Sequence, residues 1–273
     1  MKQNNNVIKS FGNEWNKFDQ SKLKKYEIKK IFNDYFKIFP FEKINRNSIG
    51  FDMGCGSGRW AFFVAPKVMQ LNCIEPSSAI NVAKKKLRIF KNINYYNSTI
   101  ENTFLARESQ NFGYSLGVLH HLKDYRKGLK KCVGFLKKGS PFLAYIYYSL
   151  DNKSKFYKLI WILSNFFRKR ICKLPEFYKN LVTDFIAFFI YYPLARLCFI
   201  MDKFQMPINK IPLHYYKNLS FYTMRTDSRD RFGTEVEHRL SQKEIKKLFK
   251  ESGFCRIKFS KTEPFWCVIG YKK

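Results

Sequence analysis

Residues 52–60 read DMGCGSGRW and place glycines at 54, 56 and 58, directly behind Asp52. Glycine accepts positive φ and lets a backbone approach a ligand closely. The spacing is not the dinucleotide pattern G-x-G-x-x-G, because position 59 is Arg, and it is not a P-loop. A tight strand-to-helix turn of this kind is expected to offer helix N–H groups to a carboxylate. Asp52 favours a cation instead. A zwitterion, the amino-acid moiety, satisfies both. Glu75 closes the next apolar run, 21 residues after Gly54. An acidic side chain at a strand end can accept both hydroxyls of a ribose. An amino acid joined to a nucleoside describes S-adenosylmethionine. The bland alternative is a Gly-rich turn that holds nothing.

The four histidines are 120, 121, 214 and 238. His120 and His121 follow a strand that ends near Leu116, at the expected mouth of the site. Strand alternation would aim one at the pocket and the other into packing. Near-neutral pKa makes either a candidate base; a wall or positioning role is the weightier reading. His214 reads as a surface or packing residue. His238 stands beside Asp230, Arg231, Glu235 and Arg239, a cluster that closes over an acceptor or forms a solvated, salt-bridged loop. Seven scattered cysteines with no C-x-x-C pair indicate free thiols in a reducing compartment and no metal set.

Elements must hold these residues in place. The periodicity predicts a helix near 21–37 and alternating strands and helices over 46–150: strands at 48–53, at "QLNCIEP", at "INYYN", within "FGYSLGVLHHL" and at "SPFLAYIYYS". "RWAFFVAPKV" reads as the helix after the glycines. A serine of Pro76-Ser77-Ser78 is expected to cap the next one. The fold class is α/β: a doubly wound, Rossmann-like sheet, mostly parallel, with an antiparallel last strand and an aromatic-rich helical insertion between the fifth and sixth strands. Four parts are expected: a helical cap (1–45), the cofactor-binding core (46–150), the insertion or lid (151–233), and a C-terminal helix with the last two strands (234–273).

DMGCGSGRW, Glu75 in "CIEPSSAI" and "SLGVLHHLKDYRKGLKKCVGFLKKGSPFLAYIYY" (115–148) resemble the class I S-adenosylmethionine-dependent methyltransferases. The last stretch is similar to the small-molecule branch that includes quinone C-methyltransferases. "SFGNEW" (10–15) and "DRFGTEVEHR" (230–239) look like a bacterial subgroup of unsettled substrate. The resemblance implies that Asp52, Gly54, Cys55, Gly56 and Gly58 cradle the methionine end and that Glu75 holds the ribose. It places Pro76 and Ser77 beside the adenine, with Thr99, Ile100 and Leu116 completing the cofactor site. Thr99 stands where the family often has an acid, and Asn111 replaces the usual acid opening the fourth strand. His121 and His120 are the candidate catalytic residues. Tyr148, Tyr222, Arg225, Arg231 and His238 are the candidate acceptor residues. No metal is expected.

With 51 Lys+Arg against 21 Asp+Glu, the formal charge is +30. Biased composition explains that spread-out charge better than an anionic partner does. "FYKLIWILSNFF" (156–167) is apolar nearly all round if helical. The 181–201 run tempts a membrane-spanning reading, but Asp184 and Arg196 are costly in hydrocarbon and Pro193 breaks the run. A lid is the favoured reading, and an anionic membrane surface the second. No signal peptide is visible, so the expected location is cytoplasmic, with peripheral contact at the inner membrane face as the variant. The expected activity is methyl transfer from S-adenosylmethionine to a small-molecule or lipid- or sugar-linked acceptor. The alternatives are an RNA methyltransferase and a non-catalytic cofactor-binding protein. Nucleic acid is disfavoured because no Asn-Pro-Pro motif, Pro-Cys pair or RNA-binding appendage is present. Oligomeric state is left open.

Overall fold

The computed structural model describes residues 2–273. The chain divides into two compact units. The first holds the N-terminal segment to Gln20, Ile28–Ser149 and Val236–Lys273; the second holds Ser21–Glu27 and Leu150–Glu235.

The first unit carries every named strand: β1 (Ile49–Met53), β2 (Gln70–Ile74), β3 (Ile93–Tyr96), β4 (Phe112–Leu116), β5 (Pro141–Tyr145), β6 (Phe254–Phe259) and β7 (Cys267–Lys272). They form one sheet in the order β3-β2-β1-β4-β5-β7-β6. β1 to β5 pair in parallel, and β7 runs antiparallel to both β5 and β6. This is the α/β Rossmann-like sheet that the alternation predicts. Strand order reverses between β1 and β4, which is where such sheets bind ligands. β1 and β4 are almost entirely buried, as strands covered on both faces must be.

The helices of this unit are α1 (Lys2–Lys17), α2 (Lys25–Phe36, whose first turn belongs to the second unit), α3 (Ala61–Val64), α4 (Ala79–Lys86) and α5 (Tyr125–Phe135). α1 lies before the helix that the periodicity predicts near 21–37. The stretch "RWAFFVAPKV" is not the single helix expected. Only a single α turn forms there, followed by a 3-10 turn at Ala65–Lys67, because Pro66 supplies no N–H to continue it. β5 stops at Tyr145, short of the expected strand, although Tyr148 forms an isolated bridge with Leu240.

The second unit contains α6 (Lys155–Ile171), α7 (Glu176–Ile186), a π turn (Ala187–Tyr191), α8 (Tyr192–Lys203) and α9 (Phe221–Gly233). Back in the first unit, α10 (Gln242–Glu251) starts on a capping box between Ser241 and Glu244 and leads into β6. Pro193 does not break the apolar run. The π turn just before it absorbs the missing N–H, and the helix continues from Glu176 to Lys203. Ile171, Tyr191, Ala195, Met224 and Phe232 form a small core. Polar contacts surround it: Arg229 is fully buried and bonded to Glu176 (2.7 Å) and Asn180 (3.2 Å). Arg225 grips Asp184 with two bonds, of 3.0 and 2.6 Å.

Candidate active site

The glycine turn lies where β1 meets the switch in strand order. Gly54 and Gly56 have φ of +82° and +52°, conformations that side chains disfavour. A β-carbon on Gly54 would collide with Val118, and one on Gly56 would lie 3.1 Å from Trp15 Nε1. The Gly54 and Cys55 N–H groups both donate to the Ile74 carbonyl, at 2.8 and 3.0 Å. Gly58 N–H donates to the Cys55 carbonyl at 2.8 Å. The helix expected after the turn is short: α3 is one turn long, and the N–H groups of Gly54, Cys55 and Gly58, which precede it, are bonded within the chain.

Glu75 braces the same turn. Its Oε2 accepts the Gly56 N–H at 3.1 Å, and its Oε1 accepts the Ser77 N–H (3.0 Å) and hydroxyl (2.6 Å). A carboxylate has about four acceptor positions, so one remains for a further donor. Burial raises its pKa, and the Ser77 and Gly56 bonds work against that. Ser78 does not cap α4. The Ala79 N–H donates to the Ser77 hydroxyl at 3.2 Å instead. Pro76 precedes this bonded pair. Asn97 Nδ2 donates to the Glu75 carbonyl at 2.9 Å and fixes the strand end.

Asp52 is buried, and neither of its carboxylate oxygens completes a hydrogen bond. Tyr114 sits opposite it in the β1–β4 register, also buried, with its hydroxyl unbonded. Burial pushes the Asp52 carboxyl up to about 8; the Tyr114 hydroxyl opposes this, Glu75 adds to it and the Arg59 charge reduces it. A buried carboxylate without a partner is costly. It fits a site that awaits a cationic group.

α1 covers this turn. Arg59 lies over the rings of Trp15 and Trp60, 4.9 and 4.2 Å from their centroids. Asn16 Nδ2 donates to the Ser78 hydroxyl at 2.8 Å. The Phe11 ring is 4.9 Å from that of His121. Sequence reasoning missed Trp15, Arg59 and Tyr114. Tyr114 was discoverable by alternation, two positions before Leu116 on the same strand.

His120 and His121 lie in a 3-10 turn, Leu119–His121, so strand alternation does not govern them and both rings are buried. His120 stacks on Tyr147 at 3.8 Å, and its Nδ1 accepts the Tyr147 N–H at 3.4 Å, which puts its proton on Nε2. Burial holds its pKa well below the usual value, with the His121, Arg239 and His238 charges adding to the effect. His121 Nδ1 lies 2.7 Å from the Val236 carbonyl, so it carries the proton and the basic lone pair is on Nε2.

The other expected residues have these surroundings. Thr99 Oγ1 accepts the Asn102 N–H at 3.3 Å, and Ile100 and Leu116 are buried. Asn111 Oδ1 accepts the Ile49 N–H at 3.0 Å, a structural bond at the start of β1. Tyr148 packs on Phe265, and the His238 ring lies 5.1 Å from Tyr125. Tyr222, Arg225 and Arg231 belong to the second unit, where Arg225 pairs with Asp184 and Arg231 bonds Ser164 at 3.3 Å. Asp230 and Arg231 sit in α9 of the second unit, and Arg239 pairs with Glu237 at 2.6 Å in the first. His214 Nδ1 lies 2.8 Å from the Ile211 carbonyl. Among the described residues, no group of three or more His, Cys, Asp or Glu side chains could hold a metal.

Residues 51–144, about a third of the chain, match the family described as "Methyltransferase domain". Over this segment the chain is similar to methyltransferase domains. Solved structures share the fold over nearly the full length. A SAM-dependent methyltransferase of Thermotoga maritima matches with a TM-score of 0.51 at 15% identity, covering 96% of this chain and 100% of that one. A chain from the complex of the Haloferax volcanii Trm112 methyltransferase activator with a methyltransferase matches with a TM-score of 0.52 at 10% identity, covering 95% and 93%. No curated protein matches the chain.

Proposed function

We propose that this protein methylates a small-molecule or lipid- or sugar-linked acceptor. The carrying observation is the unbonded, buried carboxylate of Asp52 beside the bare glycine turn. S-adenosylmethionine, when bound, supplies a methyl group already activated on a sulfonium. Asp52 would hold its ammonium group, and Arg59 its carboxylate. Glu75 would use its remaining acceptor position on the ribose, with Pro76, Ser77, Thr99, Ile100 and Leu116 around the nucleoside. His121, whose tautomer leaves Nε2 basic, would take a proton from the acceptor. His120 would hold Tyr147 and the turn in place.

The rings near His121 support an apolar or aromatic acceptor. Phe11, His120 and Tyr147 all lie within 6 Å of it. The test is incubation with methyl-labelled S-adenosylmethionine and fractions of the native cell. Label in the solvent-extractable or small-metabolite fraction supports the reading. Label in RNA replaces it with nucleic-acid methylation.

A further inference from the structure

We propose that the second unit inserts the outward faces of α6 and of the Glu176–Lys203 helix into the surface of an anionic lipid bilayer. The inference stands on the second unit alone and does not depend on the methyl acceptor.

Around its small apolar core, the unit turns long rows of large apolar side chains outward. Of the 23 large apolar side chains that stand exposed among the described residues, 18 lie between 156 and 206. On α6 they recur at helical spacing: Phe156, Leu159, Leu163 and Phe166 are 70%, 53%, 57% and 54% exposed. The next helix repeats the pattern at Phe177, Leu181, Phe185 and Phe189. The opposite faces join small and polar residues to the apolar side chains of the small core. Thr183, Ala187, Ala195 and Cys198 are buried, and the Ser228 hydroxyl donates to the Thr183 carbonyl at 2.8 Å. An aqueous surface helix has the reverse arrangement. Apolar surface on this scale marks a binding face.

Charge selects the occupant. Residues 155–210 hold ten Lys and Arg against three acidic residues. All three acids are paired: Glu176 with Arg229 (2.7 Å), Asp184 with Arg225 (2.6 Å) and Asp202 with Lys217 (2.6 Å). The exposed cations flank the apolar stretches. Lys155 starts α6, Lys169, Arg170 and Lys173 end it, and Lys203 and Lys210 follow α8. Arg170 lies 3.7 Å from the centroid of Phe166, its charge resting on an apolar ring as in interfacial side chains that snorkel. Lysine is depleted in protein–protein interfaces, whereas phosphate headgroups match this pattern. The 176–203 helix is long and apolar enough to cross a membrane. Its inner face, with Asp184 on it, is already bonded to α9, so only the outer face is left for lipid. That asymmetry suits an element lying in the interface.

The test is flotation of the full-length protein with vesicles of phosphatidylcholine alone or mixed with phosphatidylglycerol. The expected result is recovery with the anionic vesicles and little with the neutral ones. A Phe177→Ser/Phe185→Ser/Phe189→Ser variant and a Lys169→Glu/Arg170→Glu/Lys173→Glu variant should each lose at least about tenfold in partitioning. Unchanged circular dichroism and cofactor affinity would show that these surface variants fold. Binding at the neutral-vesicle level, or equal binding to both vesicle types, would overturn the proposal. So would a stable dimer that ignores vesicles and is dissociated by the phenylalanine variant; that result would assign the face to a second copy of the chain.

Discussion

Asp52 links the buried chemistry of the site to a measurable pH dependence. Its carboxyl rises from 3.8 to about 8 on folding, so the native state binds this proton more tightly than the unfolded chain does. Its contribution to stability is therefore full below about pH 4 and is lost as pH climbs through about 8. Asp52→Asn should gain in Tm relative to the parent between pH 6 and 9, read by thermal melts of the ligand-free protein. An ammonium group needs the ionised form, so cofactor affinity should rise with pH toward about 8, by no more than about tenfold per unit, and level off above it. Calorimetry would show that dependence flattened, and affinity weakened, in Asp52→Asn. His121→Ala should lower kcat by about 10²–10⁴-fold if Nε2 is the base, while His120→Ala should act mainly through stability. Rates across a pH series separate the two. At this scale the glycines and Asp52 were legible because their types and spacing are local. The engagement of Glu75 by Ser77 was not, because whether an acid is open or already bonded depends on where the next turn folds.

Among the elements, α1 has the least obvious role in the sequence. Val7, Phe11 and Trp15 recur every four residues, but asparagines and lysines dilute the stripe. What α1 does emerges only in three dimensions, where Trp15 meets Gly56 and Arg59. Trp15→Ala should speed cofactor release several-fold with little change in Tm, measurable by stopped-flow displacement. The strands were read easily, since buried parallel strands are short apolar runs between turn residues. Pro193 misled because its usual effect on a helix is cancelled by the π turn before it, a backbone adjustment with no sequence signature of its own.

For the whole chain, the fold class followed from the alternation of strands and helices, whereas the outward rows of apolar side chains on the second unit emerge only once its helices are packed. Composition shows many aromatics and many lysines but not which way they face. All seven strands lie in the first unit, so replacing 150–235 with a short Gly-Ser linker should leave a folded core that binds cofactor. Loss of the cooperative melt would show instead that the core needs the helices. Of the four places where the chain passes from one unit to the other, the pair at 149/150 and 235/236 is anchored in the first unit: Ser149 N–H donates to the Leu240 carbonyl at 3.0 Å, and His121 bonds Val236. They form a natural graft point. Recombination there would exchange the whole helical segment while every strand pairing survives, so lineages can diversify this appendage without redesigning the catalytic scaffold.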